Sequence, residues 1–308
     1  MPGNNSHKVA LVIGASRGIG RQVAIDLARA GYIVVLAAKS TTDGPKPYTF
    51  PPDPNSSQST ITTVAREISE SGGTALAIPV DVRFEASINS LIQATLSKFS
   101  KIDLIIYNSG AIYWSALDTT PTSRFRLLQR VNPEGLYITL QAIIPTFKKQ
   151  GVGRIVVVCP PIYSRFFRGK TAYAVGKVGM SVMVKGLAMD WERQGEKGLG
   201  ICGIWPAVAI QSGATGRIDP KHLRNASIFS DAIIAMINAP VKTINGLLDT
   251  DEDFLRKHEG VTDFSKYSLV PGTVPRRMMP AGFPDLTVAE QDDEGDRIDS
   301  AKERAAKL

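Results

Sequence analysis

The sequence is poor in the residues on which metal chemistry depends. Its 308 residues include two cysteines, Cys159 and Cys202, and three histidines, His7, His222 and His258. Each cysteine falls in an apolar, strand-like segment and reads as a buried free thiol. The histidines are scattered and share no ligand spacing, so no metal site is expected. No apolar run approaches the roughly 20 residues needed to span a bilayer. The N-terminal Met-Pro-Gly-Asn-Asn-Ser-His has no apolar signal core, which argues against secretion. The net charge of +7 is spread along the chain, with neither a basic run nor interleaved aromatics. That pattern points to a solvated basic surface and away from nucleic acid. Hydrophobic residues at 43% and charged residues at 21% are the proportions of a globular protein that buries a core.

What is present is a regular alternation of strand-like and helix-like segments. Strands are expected at about Val9–Ile13, Ile33–Ala37, Ala75–Val80, Leu104–Tyr107, Ile155–Cys159, Gly200–Ile204 and Leu247–Asp249. Helices are expected at about 18–30, 59–71, 84–99, 121–149, 171–194 and 227–239. Continuous apolar strands between amphipathic helices imply an α/β fold, a doubly wound parallel sheet covered on both faces. Residues 42–60 carry five prolines (45, 47, 51, 52 and 54) with Ser and Asn, and read as a loop insertion. Residues 285–308 are polar and charged, giving a single domain over 1–284 followed by a flexible tail.

Two segments carry chemistry. After the first strand comes Gly14-Ala15-Ser16-Arg17-Gly18-Ile19-Gly20, and then a helix. Glycines there permit a tight turn and let backbone N–H groups approach a pyrophosphate at the helix N-terminus. The spacing is Gly-x-x-x-Gly-x-Gly, not the Gly-x-Gly-x-x-Gly of the common dinucleotide fingerprint. Further along, Tyr173 and Lys177 stand four apart on an expected helix and leave the same face. A phenol of pKa about 10 is a poor acid at neutral pH. An ammonium one turn away should draw that value down, toward proton exchange with an alcohol or carbonyl oxygen. The second strand ends Ala37-Ala38-Lys39-Ser40, with no acid before Asp43. An acid near that point would bind a ribose 2′-hydroxyl. Lys39 and Arg17 without an acid suit a 2′-phosphate, so the expected cofactor is NADP(H).

These motifs, in this order, resemble the short-chain dehydrogenase/reductase family from about Lys8 to about Asp249. Asp81-Val82 stands where the family contacts adenine. Tyr107-Asn108-Ser109-Gly110 matches its Asn-Asn-Ala-Gly, and Asn132 matches its active-site asparagine. Ala-Ala-Lys after the second strand, Pro-Pro after the fifth and Trp-Pro after the sixth make the chain most similar to the hydroxysteroid dehydrogenase-like protein 2 group. The resemblance implies a Rossmann fold and a homo-oligomer. It implies cofactor contacts from Gly14 to Gly20, Lys39, Asp81, Val82, Asn108, Gly110, Tyr173 and Lys177. It also implies that Lys177 holds the nicotinamide ribose and that Asn132 positions a water relaying protons to Lys177.

One position departs from the family. A serine usually stands thirteen residues before the tyrosine; here that residue is Pro160, which has no hydroxyl and no N–H. Cys159 offers only a weak donor, and a continuing strand would turn it to the other face. Ser164 or Tyr163 could fold back toward the same oxygen. Three functions stay open: an NADP(H)-dependent oxidoreductase on a carbonyl or alcohol, a member with altered chemistry such as imine reduction or ring formation, and a non-enzymatic NADP-binding protein. The intact Tyr173, Lys177 and Asn132 favour the first. Tyr113, Trp114, Ile162, Phe166, Phe167 and Trp205 form a candidate apolar wall, hinting at a lipophilic substrate, under a mobile lid over Val208–Ala226. Ala306-Lys307-Leu308 is a variant of the Ser-Lys-Leu peroxisomal signal, so import by the peroxisomal receptor is expected, with the cytoplasm as the alternative.

Overall fold

The computed structural model describes residues 7–43, 49–288 and 300–305. The expected signal Ala306-Lys307-Leu308, the insertion prolines Pro45 and Pro47, and most of the expected tail lie outside these residues. Residues 300–305 form a short helix.

Seven strands form one parallel sheet: β1 (Val9–Ile13), β2 (Ile33–Ala38), β3 (Thr74–Pro79), β4 (Leu104–Tyr107), β5 (Gly153–Val158), β6 (Leu199–Trp205) and β7 (Leu248–Thr250). Their spatial order is β3-β2-β1-β4-β5-β6-β7. The chain winds outward from β1 to β3, then returns to β4 beside β1, and the order reverses between those two strands. Ligands of such sheets bind in the crevice at the carboxyl ends of the strands at this reversal. β1 and β4 are buried at every position, as a strand covered on both faces must be.

The ten helices of the described residues are α1 (Gly18–Arg29), α2 (Ile61–Glu70), α3 (Glu85–Phe99), α4 (Thr122–Gln129), α5 (Gly135–Gln150), α6 (Thr171–Gln194), α7 (Ser227–Asn238), α8 (Val241–Ile244), α9 (Asp251–His258) and α10 (Ser300–Ala305). Two cores result. One face of the sheet packs against α1, α2, α7 and α9 through residues such as Val23, Leu27, Val64, Phe229 and Phe254. The other packs against α3, α5 and α6 through Ile88, Leu91, Ile143, Phe147, Val184 and Trp191.

Two segments differ from expectation for identifiable reasons. The helix expected over 121–149 is broken at Arg130–Glu134, one wider π turn that contains Pro133. Proline has no N–H for the i→i−4 ladder, so the turn must open there. The strand expected to reach Cys159 stops at Val158, because the Cys159 N–H turns back to the Val157 carbonyl at 2.9 Å. Pro160, next in the chain, has no N–H with which to resume the ladder. The expectation that Cys159 and Pro160 face opposite sides of a continuing strand therefore fails.

Candidate active site

The glycine turn is built from close approaches. Gly14 has φ +94°, and a Cβ on it would stand 2.6 Å from the Ser109 nitrogen. A Cβ on Gly20 would collide with the Gly14 carbonyl and come within 2.5 Å of Asn108 Nδ2. Asn108 donates to the Gly14 carbonyl at 2.9 Å, so its side chain ties the end of β4 to the turn. The buried Ser59 hydroxyl donates to the Ser16 carbonyl at 2.6 Å, and Ala15 is fully buried beneath. The first turn of α1 has no side-chain cap and no acid. Its free N–H groups and positive dipole end suit a pyrophosphate. This cradle fits a nicotinamide dinucleotide. A cleft of about 470 Å³ opens beside it, lined by Arg17, Asn55 and Ser56 of the insertion and by Gln211, Ser212 and Thr215.

At the end of β2, Arg17 Nη2 donates to Ser40 Oγ at 3.3 Å. Lys39 Nζ lies 3.4 Å from Asp81 Oδ2. The expectation of a pocket without an acid is corrected by the register of β3 beside β2, which brings Asp81 to its mouth. Arg83 donates to both oxygens of that carboxylate, at 2.9 and 2.6 Å. The guanidinium, helped by Lys39, holds the Asp81 pKa down at about 2. Two cations, Lys39 and Arg83, therefore pair with this one acid. Val82 is buried and lies against Gly135, where a Cβ would come 3.2 Å from the Val82 Cβ.

Tyr173 and Lys177 lie one turn apart on α6, both almost fully buried. Lys177 Nζ donates to the Val158 carbonyl at 2.8 Å and stands 5.5 Å from the Trp205 ring centroid. Burial lowers the Lys177 pKa to about 8. Burial also pushes the Tyr173 phenol up, opposite to the lowering expected from its lysine neighbour. Desolvation sets the direction, because burial penalises the charged phenolate.

Asn132 sits fully buried in the π turn. Its Oδ1 accepts from the Ala111 N–H at 2.9 Å and its Nδ2 donates to the Ala111 carbonyl at 3.1 Å. The side-chain amide thus clamps the loop after β4. A Cβ on Gly110 would be 3.5 Å from both Asn132 Oδ1 and Lys177 Nζ, which puts the two groups on one side of this loop. Gly176 lets α6 approach: a Cβ there would be 3.2 Å from Pro133 Cδ.

Around Tyr173 most of the expected apolar wall assembles, while Ile162 lies outside the cluster. Trp114 meets its ring edge-on at 6.4 Å, Phe166 lies at 6.2 Å, and Trp205 meets Phe166 edge-on at 5.7 Å. Tyr113, Tyr163 and Phe167 join the same cluster. The expected substitutes for the missing serine do not reach the site. The Tyr163 hydroxyl donates to Met279 Sδ at 3.3 Å, and Ser164 is exposed in a 3₁₀ turn. Burial raises the Cys159 thiol to about 12. The hydroxyl nearest Pro160 is Ser181 of α6, which donates to the Pro160 carbonyl at 2.6 Å. Sequence reasoning passed over Ser181, although it lies eight residues from Tyr173, on the same helix face.

The segment Val208–Ala226, expected as a mobile lid, is held at its two ends, while residues 213–222 between them are mostly exposed. Ile210 bridges Arg224, Val208 bridges Arg277, and the Ala207 N–H donates to the buried Asp251 at 2.8 Å. Arg224 in turn donates to Glu252 at 2.7 Å.

The model of the short chain dehydrogenase family matches residues 8–48 and 55–218, spanning the glycine turn and the Tyr173–Lys177 pair and skipping the core of the insertion. The chain belongs to the short-chain dehydrogenase/reductase family. It is 35% identical to mouse (Mus musculus) hydroxysteroid dehydrogenase-like protein 2 over 96% of its own length and 59% of the mouse protein. The human (Homo sapiens) protein of that name is 34% identical, over 85% of this chain and 60% of the human one. The chain thus spans about three fifths of these relatives. Among solved structures, a short chain dehydrogenase from Mycobacterium thermoresistibile aligns with a TM-score of 0.77 at 29% identity, over 90% of this chain and 98% of its own. The family is one of nicotinamide-dependent oxidoreductases, and the chain carries its Rossmann-like sheet. Among the described residues no His, Cys, Asp and Glu cluster could hold a metal, and no helix is long and apolar enough to cross a membrane.

Proposed function

We propose that this short-chain dehydrogenase/reductase uses NADP(H) and acts on a carbonyl or alcohol group of a lipophilic substrate, with Tyr173 as its proton donor and acceptor. The observation that carries the reading is the meeting of Tyr173, Lys177 and Asn132 at the carboxyl ends of β4 and β5, beneath the ring cluster of Trp114, Phe166 and Trp205. When bound, the nicotinamide supplies or takes the hydride. The protein contributes position and a proton. The raised phenol pKa keeps Tyr173 protonated at neutral pH, ready to donate to an oxygen that gains negative charge. Lys177, one turn along the same helix, is the cation that would offset the phenolate left behind. The aromatic rings exclude water and offer an apolar surface. Asn132 fixes the loop at Ala111 that borders the same space.

The cofactor preference rests on Arg17 and Lys39 at the end of β2. The side chain of Lys39 is 62% exposed and shared with Asp81, so its contact with a 2′-phosphate is worth less than the roughly 1.5–3 kcal/mol of a buried charged hydrogen bond. Lys39→Ala should weaken NADPH binding about fivefold and leave NADH binding unchanged. Fluorescence titration of the reduced cofactors measures both affinities. Equal affinity for NADPH and NADH in the unaltered protein contradicts the assignment.

Pro160 favours a second reading, in which the chemistry has shifted to imine reduction or ring formation, because no hydroxyl replaces the missing serine. A panel of lipophilic ketones, aldehydes and cyclic imines, followed by NADPH oxidation, separates the two. Turnover of ketones or aldehydes that Tyr173→Phe abolishes supports carbonyl reduction. Turnover confined to imines, or insensitive to Tyr173→Phe, supports the second reading.

A further inference from the structure

Lys170 is a cation that the mechanism above does not use. It caps the start of α6, three residues before Tyr173. Its Nζ lies 4.3 Å from the Phe166 ring centroid and 5.7 Å from that of Trp114. Both of those rings pack directly on the Tyr173 ring. The side chain is half-buried, and burial lowers its pKa. Among the described residues it has no carboxylate partner and no side-chain hydrogen bond: its neighbours are ring faces. An ammonium stripped of part of its water and left without an anion retains strong demand for one. Aromatic faces meet that demand only in part, by about 0.5–2 kcal/mol.

The charge carried by the neighbouring loops is mostly positive. The segments 109–118 and 160–172, which supply Trp114, Phe166 and Lys170, contain Arg165, Arg168 and Lys170 against one acid, Asp118. Arg124 of α4 adds a guanidinium 5.5 Å from the Tyr113 ring centroid, in the same cluster. Negatively charged ligands are drawn to such a mouth and focused by its apolar walls.

We propose that Lys170 is the specificity-determining residue of this site and that it receives the carboxylate of a lipophilic oxo- or hydroxy-acid whose carbonyl or alcohol carbon faces Tyr173. The apolar part of such a substrate packs on Trp114, Phe166 and Trp205. Its anion takes the Lys170 ammonium out of an unpaired state, so the contact discriminates by charge and not by shape. The inference deepens the carbonyl-oxidoreductase reading by naming the class of substrate, and it rests on that reading only for the orientation of the reactive carbon.

Calorimetry with 4-oxodecanoate and its neutral analogue 4-oxodecanamide, with and without saturating NADPH, tests it independently of turnover. The full chain should bind the acid about ten to a hundred times more tightly than the amide, as a charged hydrogen bond allows. Lys170→Met, which keeps the length of the stem against Phe166, should erase the preference by weakening the acid alone. Lys170→Arg should restore much of it. A full chain that binds the acid no better than the amide, or binds neither, overturns the proposal, as does a preference that survives in Lys170→Met. Loss of turnover without loss of the binding preference counts against the catalytic reading alone.

Discussion

At the scale of single residues, the site depends on burial as much as on charge. Lys177 carries a pKa of about 8 because it is desolvated. A lysine with a lowered pKa is an ammonium below that value and a neutral amine above it. Its support of Tyr173 should therefore be complete near pH 7 and fade as the pH rises through 8. We expect kcat/KM for carbonyl reduction to fall above about pH 8, and a pH–rate profile checks this directly. A flat profile to pH 10 would mean that the cation is not needed. The glycines of the turn make a second residue-scale claim. Gly20→Ala forces a methyl group into the Gly14 carbonyl and Asn108, and overpacking of this kind costs about 1–3 kcal/mol. Gly216→Ala meets nothing within 4 Å and should be nearly neutral. Urea midpoints of the two variants should separate accordingly.

At the scale of elements, the junction of β7 and α9 fastens the segment that follows β6. Asp251 is fully buried there: its Oδ1 accepts from the Ala207 and Glu252 N–H groups, and its Oδ2 has no partner among the described residues. Burial raises its pKa to about 7, far above the usual carboxylate value. The sign follows from linkage: the folded state holds the proton more tightly than the unfolded chain, so this group costs stability as pH rises from about 4 to 7. Asp251→Asn imitates the protonated acid and keeps the Oδ1 acceptor. The variant should match the parent near pH 4 and exceed it at pH 8, with thermal midpoints recorded across that range. A constant difference at every pH would show that Asp251 does not titrate in this window.

None of this junction was legible in the sequence. Leu247–Asp249 reads as a strand, but Asp251, Glu252 and Asp253 look like ordinary surface charge until Arg224 and Arg277 are brought to them from far along the chain. The strands were legible because apolar runs such as Val9–Ile13 can only be buried. The α4–α5 break is absent from the expected helix over 121–149, although Pro133 lies inside that range, and a proline kink and a π turn leave the same mark in sequence. At the site, the glycine turn and the Tyr173–Lys177 pair are local patterns and could be read directly. The clamp of Asn132 on Ala111, Asp81 beside Lys39 and Lys170 between two rings are products of tertiary placement, which spacing does not encode.

At the scale of the whole molecule, one sheet holds cofactor cradle and reactive pair at the same edge, while Arg277 draws the chain near residue 280 onto that edge. Arg277 donates to Asp253 at 3.0 and 2.5 Å and to the Pro280 carbonyl at 2.8 Å. Arg277→Ala leaves the buried Asp253 short of its cation, so a loss of about 2 kcal/mol is expected. Faster hydrogen exchange confined to residues 207–226 and 270–283 should accompany it. The central claim concerns the reaction that this arrangement performs, and isotope transfer tests it most directly. NADPH deuterated at the nicotinamide C4, incubated with the protein and a lipophilic ketone that it turns over, should deliver one deuterium to the carbinol carbon. Tyr173→Phe should abolish that transfer while binding NADPH with unchanged affinity. Undiminished deuterium transfer in Tyr173→Phe would contradict the account.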